Sequence, residues 1–207
     1  MISIILIAVL SYLLGSIPNS IIFGKILKGI DIRQHGSGNA GATNVFRLLG
    51  WKAGIAVGIL DLAKGFIPTV FFSQIVVDEI IITHDWVQLI AGMSAVFGHI
   101  WTIFAGFKGG KGALTALGMF FGLMPGTAAV CFLVFISVFA VSRIVSLGTL
   151  TTAVLLSIIM IVRKFFLGHT IENSILILSG VITLLVIITH ISNIKRLING
   201  TENKFKK

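Results

Sequence analysis

Charge is scarce in this sequence. Of 207 residues only 11% are Asp, Glu, Lys or Arg, while 56% are hydrophobic, and mean hydropathy is +1.06. That balance excludes an ordinary soluble globular domain and points to a membrane protein. One cysteine, Cys131 in the run VCFLVF, rules out an intramolecular disulfide and a thiolate metal cluster. It reads as a small packing hydrophobe. The apolar run from Met1 to Phe23 lacks a basic leader and a clear small-x-small cleavage site, so it reads as a retained first helix rather than a secretory signal. HExxH, paired-cysteine zinc spacing and the G-x-S-x-G elbow are all absent, and none of the five histidines begins an H-x4-D dyad.

What the chain has is a series of apolar runs, expected to cross a membrane near residues 1–23, 51–76, 86–105, 112–124, 126–142, 145–162 and 174–192. The fourth is short, and Met124-Pro125-Gly126 is a turn signal that separates it from the fifth. The expected fold is therefore all-α and integral to the membrane. It is a seven-transmembrane-helix bundle forming a single domain over residues 1–207, with half-buried Gly-rich loops on one face. Thirteen of the sixteen basic residues cluster around the first, third and fifth loops and the tail, whereas Asp78, Glu79, Asp85, His84 and His169 fall on the other side. The positive-inside rule then puts the N-terminus outside and the C-terminus in the cytoplasm.

Three polar motifs share that basic side: SGNAGATNVFRLLG (37–50), FKGGKGAL (107–114) and HISNIKRLINGTE (190–202). Glycine lets main-chain N–H groups approach an oxyanion, and a helix starting just after adds its positive end. Phosphate is the natural ligand. A Walker A loop is excluded, because Gly110-Lys111 is followed by Gly112 and Ala105 stands at the earlier glycine position. The glycines at 36, 38 and 41 lack the βαβ unit of a dinucleotide fold. Asp61 and Lys64 lie on one face of the second span, where an ionisable pair is costly and reads as support that orients a site. His35 borders the first motif, and His99 reads as a satisfied core donor. Pro68 and Gly65 suggest a bend and a close helix neighbour. A second class stays open: a small transporter for phosphate or glycerol phosphate, weakened by the lack of an inverted repeat.

Together SGNAGATN with Arg47, KGGKGALT, HISNIKRLINGTE and the intervening LDLAKGFIP resemble the bacterial acyl-phosphate-dependent glycerol-3-phosphate acyltransferases, the PlsY family, along essentially the whole chain. A small departure is Leu114, where many members have alanine. The resemblance implies a monomeric, multi-pass enzyme of the bacterial inner membrane that works on the cytoplasmic face, with no cofactor, no metal and no nucleic-acid partner. Its partners would be acyl phosphate, glycerol 3-phosphate and membrane lipid. The acyl group would pass to the sn-1 hydroxyl, giving lysophosphatidic acid and phosphate. By the same resemblance His190, Asn193, Ser37, Arg47, Lys108 and Lys111 would form the catalytic set, while Gly38, Asn39, Gly41, Thr43, Asn44, Gly109, Gly110 and Glu202 would bind substrate. Either His190, an imidazole with an ordinary pKa near 6.5, or a substrate phosphate would take the hydroxyl proton. Direct transfer without an acyl-Ser37 intermediate is expected, because an acyl phosphate is already activated.

Overall fold

A computed structural model describes residues 1–168 and 171–205; His169, expected on the outer side, and Lys206 and Lys207 of the basic tail lie outside them. Among the described residues the chain forms ten α-helices: α1 (Ile2–Ser16), α2 (Asn19–Lys28), α3 (Ala42–Leu49), α4 (Trp51–Val70), α5 (His84–Ile100), α6 (Ala113–Leu123), α7 (Pro125–Ser142), α8 (Val145–Phe165), α9 (Asn173–Thr189) and α10 (Ile191–Ile198). By length and composition five segments can cross a membrane: Ile2–Lys28, Trp51–Gln74, His84–Ala105, Pro125–Ser142 and Val145–Phe165. A sixth arises if α9 and α10, bent by 63° at His190, count as one. The remaining expected span, the fourth, is α6, which has only 11 residues because it starts after Gly112, at φ +79°. The break between α6 and α7 falls at Met124, with Pro125 in the first turn of α7, where its missing N–H costs nothing.

The chain divides into two compact units, Met1–Leu123 and Met124–Lys207. In the first unit, glycines let helix backbones touch. A Cβ on Gly65 of α4 would stand 1.8 Å from the Thr115 carbonyl oxygen of α6, and one on Gly118 of α6 would stand 1.9 Å from the Leu62 oxygen of α4. With no hydrophobic force to drive helices together inside lipid, such close approach is what dispersion packing requires. Gly65 thus has the neighbour its position suggested.

Pro18 cannot continue α1, and the chain restarts as α2 after a two-residue break. The break leaves the Ser16 carbonyl without a helical partner in an apolar setting, where an unpaired group is costly, while Ile17 O accepts the Asn19 N–H at 3.0 Å and keeps a second lone pair. The Thr102 hydroxyl donates to Ser16 O, and the Lys64 ammonium donates to Ile17 O. Lys64 also pairs with Asp61 Oδ1 at 3.1 Å. Asn19 Nδ2 donates to the same oxygen at 3.1 Å, and both ionic side chains are buried. The pair expected on one face of the second span is therefore present, and it repairs a broken helix.

In the second unit α7 and α8 are joined by a tight turn in which Arg143 adopts φ +61°. Thr183 of α9 donates to Ala153 O of α8 at 2.6 Å and meets Ser157 at 2.8 Å. The Phe205 ring packs edge-on against Phe139 at 5.5 Å, and Phe205 N donates to Arg143 O at 3.0 Å.

Gly65→Ala and Gly118→Ala should each destabilise the protein by about 1–3 kcal/mol through overpacking, seen as a lower thermal midpoint in detergent. Gly180→Ala in α9, where an added Cβ meets no atom within 4 Å, should leave the midpoint unchanged or raise it.

Candidate active site

The first motif rests on a small apolar core of Ile32, Val45, Ala53 and Val57. Asn44, 1% exposed, organises the loop above it. Its Oδ1 accepts from Ser37 N at 3.0 Å, and its Nδ2 donates to Ile32 O and His35 O, each at 3.0 Å. Both amide donors are used on the backbone, so Asn44 shapes the loop. Gly36 is obligatory here: it has φ +62°, and a Cβ would stand 2.4 Å from Asn44 Oδ1. Ser37 and Gly38 are left exposed on the loop, and Arg47 is half-buried in the last turn of α3. Asn39 lies beside Gly41, the residue from which α3 starts, and Thr43 falls in its first turn. The positive end of the helix dipole is therefore built from the residues that follow the glycines.

The second motif turns back against the end of α5. Gly109 N donates to Ile100 O and Gly110 N to His99 O, both at 3.0 Å. These acceptors are carbonyls that the end of a helix leaves unpaired. The N–H groups of Gly109 and Gly110 thereby cap α5. Glycine is needed for the approach itself, since a Cβ on Gly109 would stand 2.0 Å from His99 O. The cations of the motif flank this turn, Lys108 exposed and Lys111 half-buried.

An ion pair that the sequence did not single out joins the two loops. Arg33 binds Asp31 through Nε at 3.1 Å and Nη2 at 2.8 Å, and its Nη1 donates to Ala105 O at 2.8 Å. The side-chain hydrogen bond from Arg33, helped by its backbone N–H, holds the Asp31 carboxyl down at about 2. An open cleft of about 570 Å³ lies beside this clamp, lined by Arg33, Gln34, Gly38, Gly106, Lys108 and Gly109. Parts of the first two motifs thus meet on one cleft within the first unit. Only an i, i+2 acid–arginine pair marked the clamp in the sequence, and that spacing carries no functional signature.

The third motif is built in the second unit. His190 stands at the bend between α9 and α10, with Nδ1 2.8 Å from Val186 O. A carbonyl can only accept, so Nδ1 carries the proton and the basic lone pair of the neutral ring falls on Nε2. Glu202 ties the rest together: Asn193 Nδ2 and Ser146 Oγ donate to its Oε1 at 2.6 and 2.9 Å, and Arg196 Nε binds Oε2 at 2.6 Å. Burial alone would raise the carboxyl pKa, but hydrogen bonds from Arg196, Asn193 and Ser146 outweigh it and hold the pKa below its ordinary value. Ser146 was missed by the sequence reading because it lies in α8, far from the motif it serves.

A family model described as glycerol-3-phosphate acyltransferase matches residues 5–200. Curated relatives with the same description include one from Chlorobium phaeobacteroides (strain BS1), 44% identical over 230 residues covering 100% of this chain and 98% of the relative. Another, from Salinibacter ruber (strain DSM 13855 / M31), is 44% identical over 211 residues, covering 98% and 92%. The chain also superposes on crystal structures of PlsY, an integral membrane glycerol 3-phosphate acyltransferase. Its glycerol 3-phosphate form matches with TM-score 0.85 and 38% identity, and its lysophosphatidic acid form with 0.82 and 37%, each covering 99% of this chain and 96% of that one. The motifs read from the sequence therefore belong to an enzyme and not to a transporter: this chain is a member of the glycerol-3-phosphate acyltransferase family.

Proposed function

We propose that the protein transfers a fatty acyl group from acyl phosphate to the sn-1 hydroxyl of glycerol 3-phosphate, releasing lysophosphatidic acid and phosphate. The observation that carries this reading is the cleft on which Gly38 of the first motif and Lys108 and Gly109 of the second meet beside Arg33. Its lining also includes Asp31, which pairs with Arg33, so Lys108 gives this glycine-walled opening the positive charge that suits a phosphate. The related PlsY structures in glycerol 3-phosphate and lysophosphatidic acid forms supply the acceptor and product.

In the reaction the acceptor hydroxyl oxygen attacks the acyl carbonyl carbon, and the bond from that carbon to the phosphate oxygen breaks with its electron pair leaving on phosphate. Ser37, Gly38, Asn39 and the start of α3 at Gly41 to Thr43 hold phosphate oxygens, while Arg47, Lys108 and Lys111 balance their charge. Each well-placed donor is worth roughly 2.7–4 kcal/mol in the transition state. Asn44, Gly109 and Gly110 act by fixing the two loops. His190, Asn193 and Glu202 position the glycerol and its hydroxyls, and the proton passes to His190 Nε2 or to a substrate phosphate. Asp61 and Lys64 support the site from beneath.

The enzyme is a monomer of the bacterial cytoplasmic membrane. α6 completes seven crossings, with the N-terminus outside and the active face and C-terminus inside, as the basic loops direct.

Purified protein given palmitoyl phosphate and glycerol 3-phosphate, with no other acyl donor, should release phosphate and lysophosphatidic acid in equal amounts. Arg47→Ala should lower kcat by roughly 10²–10³. No turnover by intact protein would remove acyl phosphate as the donor. A second expectation concerns pH. Because the Glu202 pKa is lowered on folding, its network contributes stability that is full above the unfolded value near 4.5 and is lost as pH falls through the lower folded value. Thermal midpoints measured from pH 7 down to pH 3 should therefore fall more steeply below pH 4.5 in the natural protein than in Glu202→Gln.

A further inference from the structure

The buried polar cluster at the helix break contains one group with no assigned part in acyl transfer. His99, in the last turn of α5, is 8% exposed. Its Nδ1 lies 3.8 Å from Asp61 Oδ1, too far for a hydrogen bond but close for a charge in an apolar setting. The opposite edge of the ring faces the second motif: a Cβ on Gly110 would stand 2.2 Å from His99 Nε2 and 2.9 Å from Ala40 O of the first motif. The carbonyl of the same residue accepts the Gly110 N–H. His99 therefore meets the glycine turn twice, once through its backbone and once through its ring.

We propose that His99 is a positioning residue for acyl transfer. Its imidazole, wedged between Asp61 and the glycine turn, is the strut that sets the height of the Gly109–Gly110 turn and hence the reach of Lys108 and Lys111. This inference rests on the proposed acyl-phosphate reaction. It also makes the buried ion pair a part of the site's construction as well as of the helix repair.

The test uses the full chain in lipid nanodiscs. His99→Asn keeps a polar atom toward Asp61 but withdraws from Gly110, while His99→Gln restores the reach. The Asn variant should lose roughly tenfold to a hundredfold in kcat, as expected for a small misplacement of charge-bearing groups, and Gln should recover most of the loss. Asp61→Asn should lower kcat in the natural background and add little to His99→Asn, because the two act through one contact. Equal activity of the Asn and Gln variants, or losses that multiply, would overturn the proposal. Amide hydrogen exchange at Gly109 and Gly110 gives a readout independent of turnover: it should be faster in His99→Asn than in His99→Gln, and equal rates would also overturn it. If the natural protein shows no turnover with acyl phosphate, the donor assignment fails while hydrogen exchange still decides the role of His99. Should His99→Asn not fold, Asp61→Asn is read by the same exchange measurement, with protection equal to the natural protein counting against the strut.

Discussion

Two carbonyl oxygens at the Pro18 break, those of Ser16 and Ile17, constrain much of the first unit. In water they would be hydrated; among apolar helices they need donors from the protein. Thr102, just beyond α5, donates to Ser16 O, and Lys64 of α4 joins the Asn19 N–H on Ile17 O. An ammonium brought into that setting needs a counter-charge, which Asp61 provides one turn away. A single proline thus fixes how α1, α4 and α5 are set against one another. It also accounts for ionised groups inside a span without requiring that they take part in chemistry.

The motif loops obey the same logic of unpaired backbone groups. KGG closes the end of α5 by donating two main-chain N–H groups to it. SGNAGATN is tied into shape by the buried amide of Asn44. In both, residues of the motif hold its own loop in shape. Glu202 plays the corresponding part in the second unit, where its two oxygens gather Ser146, Asn193 and Arg196.

The all-helical, membrane-embedded character was legible because hydropathy alone determines it, and so was the Asp61–Lys64 pair, whose i, i+3 spacing is local. The three motifs were legible as chemistry because glycine, amide and cation types fall together in short stretches. What stayed hidden depends on distant partners. Ser146 reaches Glu202 across 56 positions, Arg33 reaches Ala105 across 72, and the direction in which Gly109 and Gly110 point their N–H groups is set by where α5 happens to end. The shortness of α6 was legible from the run at 112–124, because Met124-Pro125-Gly126 closes it.

That shortness has a mechanical consequence. Eleven residues make about 16 Å of helix, roughly half of a bilayer's 30 Å apolar core. Tilt answers only excess length, and α6 is held against α4 at backbone contact through Gly65 and Gly118. For α6 to cross as proposed, the lipid beside it would have to thin or admit water. A membrane thinned at that place would bring headgroups, and the heads of amphiphilic molecules among them, toward the start of the helix where Lys108 and Lys111 stand.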